Sequence, residues 1–273
     1  NTTTGAMLQS VAVADRQMYT VRPVLPYMAL SPDGAKLYVL KLHTPTPGND
    51  QISLATFDTA KGTFGPDQPL AGCMGASLVT SGDQVAVLCA GSHQLRVIAG
   101  GKNAGAETTV TLPSNGSANA SEQAVAHASA AVPAANGTFA VVLGNGRIYN
   151  VGGGQSIQSQ TALNQSSDLW VPHGNVAASA DGSKLFVGLG AVAERGRRAT
   201  ETIVILDAKT GKQISSVKSS QSFWSMSVDR SGSQIYTVHP EQQSVTVIDV
   251  STQQAVTTLR NLGVSPVQVA IAP

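Results

Sequence analysis

Five histidines, two cysteines, two tryptophans and a cluster of arginines are the side chains of this 273-residue chain whose chemistry bears on function. The histidines stand at 43, 93, 127, 173 and 239, with neither H-x-x-H nor H-E-x-x-H spacing, and no carboxylate or thiol set completes a recognisable metal site. No bound metal and no catalytic residue are expected in this chain. A G-x-S-x-G elbow and a P-loop are absent, and the glycines at 152, 153 and 154 follow a strand-like run without opening a helix, which leaves no dinucleotide fingerprint. With 17 basic against 16 acidic residues and 12% charged residues, the chain lacks the basic surface of a nucleic-acid binder. No apolar run approaches the roughly 20 residues of a membrane-spanning helix. No basic-then-apolar leader opens the chain, so any export signal is expected to have been removed.

Cys73 and Cys89 lie symmetrically about Ser81, inside the turn signal Thr80–Asp83. An antiparallel hairpin centred there would oppose them at the roughly 4.5 to 5.5 Å that a disulfide accepts. The competing reading is a pair of buried thiols. A disulfide implies an oxidising compartment, the bacterial periplasm or the exterior.

Glu194, Arg195, Gly196, Arg197 and Arg198 fall in a long connection between FVGLG and TIVILD. Such connections carry function disproportionately, and three arginines suit an acidic partner, although a solvated loop is the plainer reading. The segment from Lys41 to Gln51 reads as the corresponding loop two blades earlier, on the same face.

The elements that must position these groups are set by a repeat. SPDGAKLYVL, TSGDQVAVLC, AANGTFAVVL, SADGSKLFVG and RSGSQIYTVH each join a glycine turn to an alternating apolar run, with glycines at 34, 82, 137, 182 and 232. Each is followed by a second run rich in Val, Ile and Thr: ISLATFD, LRVIAGG, RIYNVGGG, TIVILDAKTG and VTVIDVS. Period-two alternation, 27 glycines, 13 prolines and no sustained 3.6-residue period predict an all-β chain with almost no helix. The spacing suits four-stranded propeller blades. One domain over residues 1–273 is expected, with five complete blades from about residue 24 to 262. The run beginning at Met7 reads as an outer strand pair, and SPVQVAIAP at the end as a lone inner strand. That tally falls five strands short of seven blades; a six-bladed ring closed by both termini is the alternative.

The stretches AGCMGASLVTSGDQVAVLC, DLWVPHGNVAASADGSKLFV, ETIVILDAKTGKQIS and LGVSPVQVAIAP resemble the heavy subunit of the methylamine and aromatic amine dehydrogenases. The resemblance extends over essentially the whole chain. It implies a seven-bladed propeller whose amino-terminal strands are missing here, and a periplasmic location. It also implies a small catalytic subunit that carries a tryptophan-derived quinone, with electrons passing to a blue copper protein or a cytochrome. In that family the quinone belongs to the cysteine-rich small subunit, so Trp170 and Trp224 are expected to pack rather than form a cofactor, Trp224 on an inner strand. The chain is thus expected to be a noncatalytic scaffold for periplasmic primary-amine oxidation. The alternative is a stand-alone secreted propeller that binds a protein or ligand.

Overall fold

The computed structural model describes residues 28–46, 49–73, 76–89, 92–100, 105–113, 130–134, 138–144, 146–152, 156–163, 169–170, 175–192 and 198–262. Among these residues there are 22 strands and no α-helix. They form five antiparallel sheets taken in chain order. The first sheet holds β1 (Met28–Leu30), β2 (Lys36–Thr46), β3 (Asn49–Asp58), β4 (Thr63–Phe64) and β5 (Gln68–Pro69). The second holds β6 (Ala76–Ser81), β7 (Gln84–Cys89), β8 (Gln94–Ala99) and β9 (Glu107–Thr111). The third holds β10 (Ala130–Ala134), β11 (Thr138–Val142), β12 (Arg147–Val151) and β13 (Ile157–Ala162). The fourth holds β14 (Leu169–Trp170), β15 (Val176–Ala178), β16 (Lys184–Val192), β17 (Arg198–Asp207) and β18 (Gln213–Phe223). The fifth holds β19 (Ser225–Val228), β20 (Gln234–His239), β21 (Ser244–Asp249) and β22 (Gln254–Arg260). Each glycine phrase of the sequence falls on the first hairpin of a sheet, and each Val/Ile/Thr run on a third strand.

Alternation dictates how the sheets stack. On β7, Val85, Val87 and Cys89 pack toward the first sheet, whereas Ala86 and Leu88 pack toward the third. Phe139 and Val141 face back and Ala140 and Val142 face forward; on β16, Leu185 and Val187 face back and Phe186 forward. A strand covered on both faces must be apolar at consecutive positions, which explains why the second strands read as unbroken apolar runs. The first strands touch along the stack, β1 with β6, β6 with β10, β10 with β15 and β15 with β19. The fourth strand is outermost, and β22 is exposed along most of its length. Serial antiparallel sheets, three of four strands and two with one extra short strand, packed face to face with their first strands together are consistent with propeller blades.

The first hairpins turn on Gly34, Gly82, Gly182 and Gly232, all at positive φ, a region that glycine enters without a Cβ penalty. Gly137 lies outside the described residues, as do the segments read as terminal partial blades. Just after the third-to-fourth turn, the fourth strands of the third, fourth and fifth sheets each carry one extra residue: 158, Ile214 and Val256. Bulges of this kind twist an edge strand away from foreign strands.

Candidate functional site: the ribbon end

Because each sheet runs through its strands in order, every connection from second to third strand leaves the same end of the stack. The glycine turns and the third-to-fourth turns occupy the other end. Bonds between neighbouring sheets align that turn end: Thr80 Oγ1 donates to the Leu30 carbonyl, Asn150 Nδ2 to the Ala208 carbonyl, and Ala180 N–H to the Arg230 carbonyl. In the second, third and fifth sheets the second and third strands span 5 or 6 residues. In the first and fourth sheets they span 9 to 11. Since all second strands start just after a glycine turn, the surplus projects from the opposite end, by about 10 to 15 Å at strand rise. Two β-ribbons therefore rise from one end of the molecule.

This geometry corrects the reading of the segment Lys41 to Gln51 as a loop. It is paired strand to the tip, with Thr46 opposite Asn49, and it lies three sheets from the second ribbon rather than two. Its end of the molecule is as expected. Of the charged run, Arg198 opens β17 opposite Val192, while Glu194, Arg195 and Arg197 lie outside the described residues. Both tryptophans also belong to the ribbon end: Trp170 on β14, which pairs with β16 at Gly190, and Trp224 between β18 and β19. Trp224 departs from the packing expected of it. It lies just before the inner strand, its N–H donates to the Val238 carbonyl, and it is 47% exposed. Beside it on the second ribbon, Ser222 Oγ stands 3.5 Å from Glu201 Oε1.

The cysteines form the expected disulfide, with Cα atoms 4.9 Å apart, but by a different route. The β6–β7 register centres on the Gly82–Asp83 pair, which places Ala76 and not Cys73 opposite Cys89. Cys73 precedes β6, on the crossover from the first sheet, and reaches Cys89 from there. Other bonds hold the same crossover. β5 pairs with β3 at Ser53 and Leu54, Leu70 N–H donates to the Ile52 carbonyl, and Cys73 N–H donates to the Leu70 carbonyl. Arg96 donates to the Ala71 carbonyl and pairs with Glu107 at 3.3 Å, while Gln68 Nε2 donates to Glu107 Oε2 at 3.1 Å. Lys41 bridges to Asp67 at 2.9 Å and lies 4.8 Å from the Phe64 ring centroid. The base of the first ribbon is thereby fastened to the second sheet.

His239, at the end of β20, is 1% exposed. Its Nδ1 is 2.8 Å from the Ser222 carbonyl and its Nε2 is 3.1 Å from Thr237 Oγ1, so both ring nitrogens are satisfied inside the sheet. It braces the second ribbon from below. Sequence spacing held no signal for it, since its partners are a carbonyl 17 residues away and a hydroxyl two residues away on the same strand.

The turn end is built from carboxylates acting as local acceptors. Asp181 accepts from Ser179 Oγ, Ser183 N–H and Ser183 Oγ, which lowers its pKa to about 2. Asp33, held first by Ser31 Oγ, and Asp207, held first by the Thr210 hydroxyl, are lowered in the same way. These groups shape turns. Among the described residues no group of three His, Cys, Asp or Glu is placed to hold a metal ion, and no helix is long and apolar enough to cross a membrane. The ribbon end thus carries two projecting β-ribbons, the half-exposed Trp224 and the buried His239.

No protein-family model and no curated protein matches the chain.

Proposed function

We propose that this chain is a noncatalytic propeller subunit of the amine dehydrogenase heavy-chain type, which holds a small quinone-bearing subunit against its ribbon end. The observation that carries this reading is the pair of ribbons raised from one end of the first and fourth sheets, braced by the Cys73–Cys89 crossover and by His239. Projecting ribbons and an exposed aromatic side chain at the same end suit a partner surface, where buried Trp anchors dominate binding energy. The resemblance noted in the sequence supplies the reaction: a primary amine and water give an aldehyde, ammonia, two protons and two electrons, the protons passing to solvent and the electrons onward to a blue copper protein or a cytochrome. The quinone belongs to the small subunit, and this chain's residues position it and shape access.

In this reading the stacked sheets are blades of a seven-bladed ring, and the protein works in the bacterial periplasm. The disulfide fits an oxidising compartment. The test is dye reduction with methylamine and with an aromatic amine, by the chain alone and after mixing with a small cysteine-rich, quinone-bearing subunit. Turnover only in the mixture supports the proposal. Turnover by the lone chain overturns the noncatalytic role, and failure of such subunits to bind moves the assignment to a stand-alone secreted propeller.

A further inference from the structure

At the base of the first ribbon, Lys41 Nζ is held by two groups at once: Asp67 Oδ1 lies 2.9 Å away and the Phe64 ring centroid 4.8 Å away. A carboxylate and an aromatic ring share one cation there. The second ribbon carries the same two kinds of group. Glu201 lies where β17 shifts register against both of its neighbours, between Thr200 and Thr202, and so stands outside both ladders. Its carboxylate is 3.5 Å from Ser222 Oγ. Ser222 and Trp224 are exposed on either side of the buried Phe223, which turns both side chains outward from the core. Their Cα atoms are at most about 7 Å apart, since two residues of chain reach no farther. The indole and the carboxylate therefore flank one stretch of surface. Among the described residues the ion pairs are Lys41–Asp67, Lys61–Asp58 and Arg96–Glu107, so the cation that completes the set on the first ribbon has no counterpart on the second.

We infer that Trp224 and Glu201 form a receptor for an arginine side chain on the protein that docks at the ribbon end. Charge selects a cation: the carboxylate attracts it, and the face of an indole is the best aromatic surface for one. Shape selects arginine over lysine, because a planar guanidinium stacks on the indole while its N–H fork donates to the carboxylate, two contacts that a compact ammonium cannot make at once. Exposure selects a side chain carried by a protein over a free cation. Exposed ion pairs and exposed cation–π contacts are each weak, so a site built from the two orients and discriminates a partner already held by other surface. The ribbons supply that surface, and the inference rests on the reading of their end as a partner surface. It is indifferent to whether the partner carries a quinone.

The test reads the indole N–H resonance of Trp224, identified by its loss in W224F, while the 273-residue chain is titrated with N-acetyl-arginine amide or with its uncharged citrulline analogue at matched concentration and ionic strength. The expected result is a shift several-fold larger with the arginine derivative than with the citrulline one, reduced several-fold in E201Q. E241Q makes the same charge change in the β20–β21 connection at that end and should leave the shift nearly intact. Equal shifts from the two probes would overturn the inference, as would an arginine shift that E201Q leaves unchanged. Equal losses in E201Q and E241Q would also overturn it, since a general negative field and not a site would then draw the probe. A response that emerges only after Arg195, Arg197 and Arg198 are replaced by Ala would overturn it too, because the chain would then supply its own cation. The titration needs no partner, so a specific response together with failure of every quinone-bearing subunit to bind would leave the receptor standing and remove only the amine dehydrogenase reading.

Discussion

At the scale of single residues, the turn end shows one bond set built from two sequences. In Ser31–Gly34 and Ser179–Gly182 the first residue is Ser and the third Asp, whereas in Asp229–Gly232 the two types are exchanged. In all three the glycine N–H donates to the first residue's carbonyl, and that residue's side-chain oxygen accepts the N–H of the first strand residue, Lys36, Lys184 or Gln234. The sequence pattern was legible because the turn needs a left-handed residue and a short side-chain acceptor, and either order supplies both. The outer turns obey the same logic at Gly62, Gly211 and Gln253, with φ of 69°, 68° and 59°. Gln253 carries a Cβ penalty there, so Gln253→Gly should stabilise the chain by about 0.5 to 1 kcal/mol. Gly211→Ala should cost about 2 kcal/mol or more, because its Cβ would overlap the Thr161 side chain as well as strain the backbone; thermal unfolding of the two variants checks both signs. Asp181 titrates near 2 when folded against an ordinary 3.8, so its stabilisation is present above 3.8 and is lost as pH falls toward 2. Melting temperature should drop across that interval, and Asp181→Asn should shallow the drop; an unchanged slope would show that the Ser179 and Ser183 bonds do not hold the carboxylate.

Among the elements, the crossover between the first and second sheets shows where reading a sequence succeeds and where it stops. Symmetry about Ser81 led to the right cysteine pair through a register the hairpin does not adopt. The pairing survives because β5 and the Leu70 turn deliver Cys73 beside the end of β7, a path set by bonds to β3 and Arg96 that leaves no local pattern. The ribbons were half legible for a related reason: their alternation continues past the sheet, but Pro and Gly near the first tip read as a loop. Trp224 misled because strand composition surrounds it, and only the position of the β18–β19 crossover exposes it. The disulfide closes a loop with a sequence separation of 16, and in the chain-entropy picture it contributes about 3 kcal/mol. C73A/C89A should therefore melt several degrees lower while keeping its β-sheet spectrum, with faster amide exchange concentrated at Leu70 to Cys73 and at Ile52 to Leu54. Uniformly faster exchange in all five sheets would mean that the bond supports the whole stack and does not locally fasten the first ribbon.

For the molecule as a whole, the architecture was readable because every sheet repeats one demand, a turn at fixed spacing and a second strand apolar on both faces. Function was not, since the ribbon end draws on residues from separate sheets whose meeting depends on strand lengths rather than on any motif. The two ends differ in kind: short, internally satisfied turns at one, and projecting ribbons with Trp224 between the fourth and fifth sheets at the other. A subunit that holds a catalytic partner would use the second end and leave the first in solvent. Amide hydrogen exchange on the chain, free and saturated with a small quinone-bearing subunit, distinguishes the ends peptide by peptide. Protection should gather on β2–β3, on β16 to β18 and around Trp224, with the glycine turns at 34, 82, 182 and 232 unchanged. Protection confined to those glycine turns, or none anywhere at saturation, would contradict the assignment of the ribbon end as the partner surface.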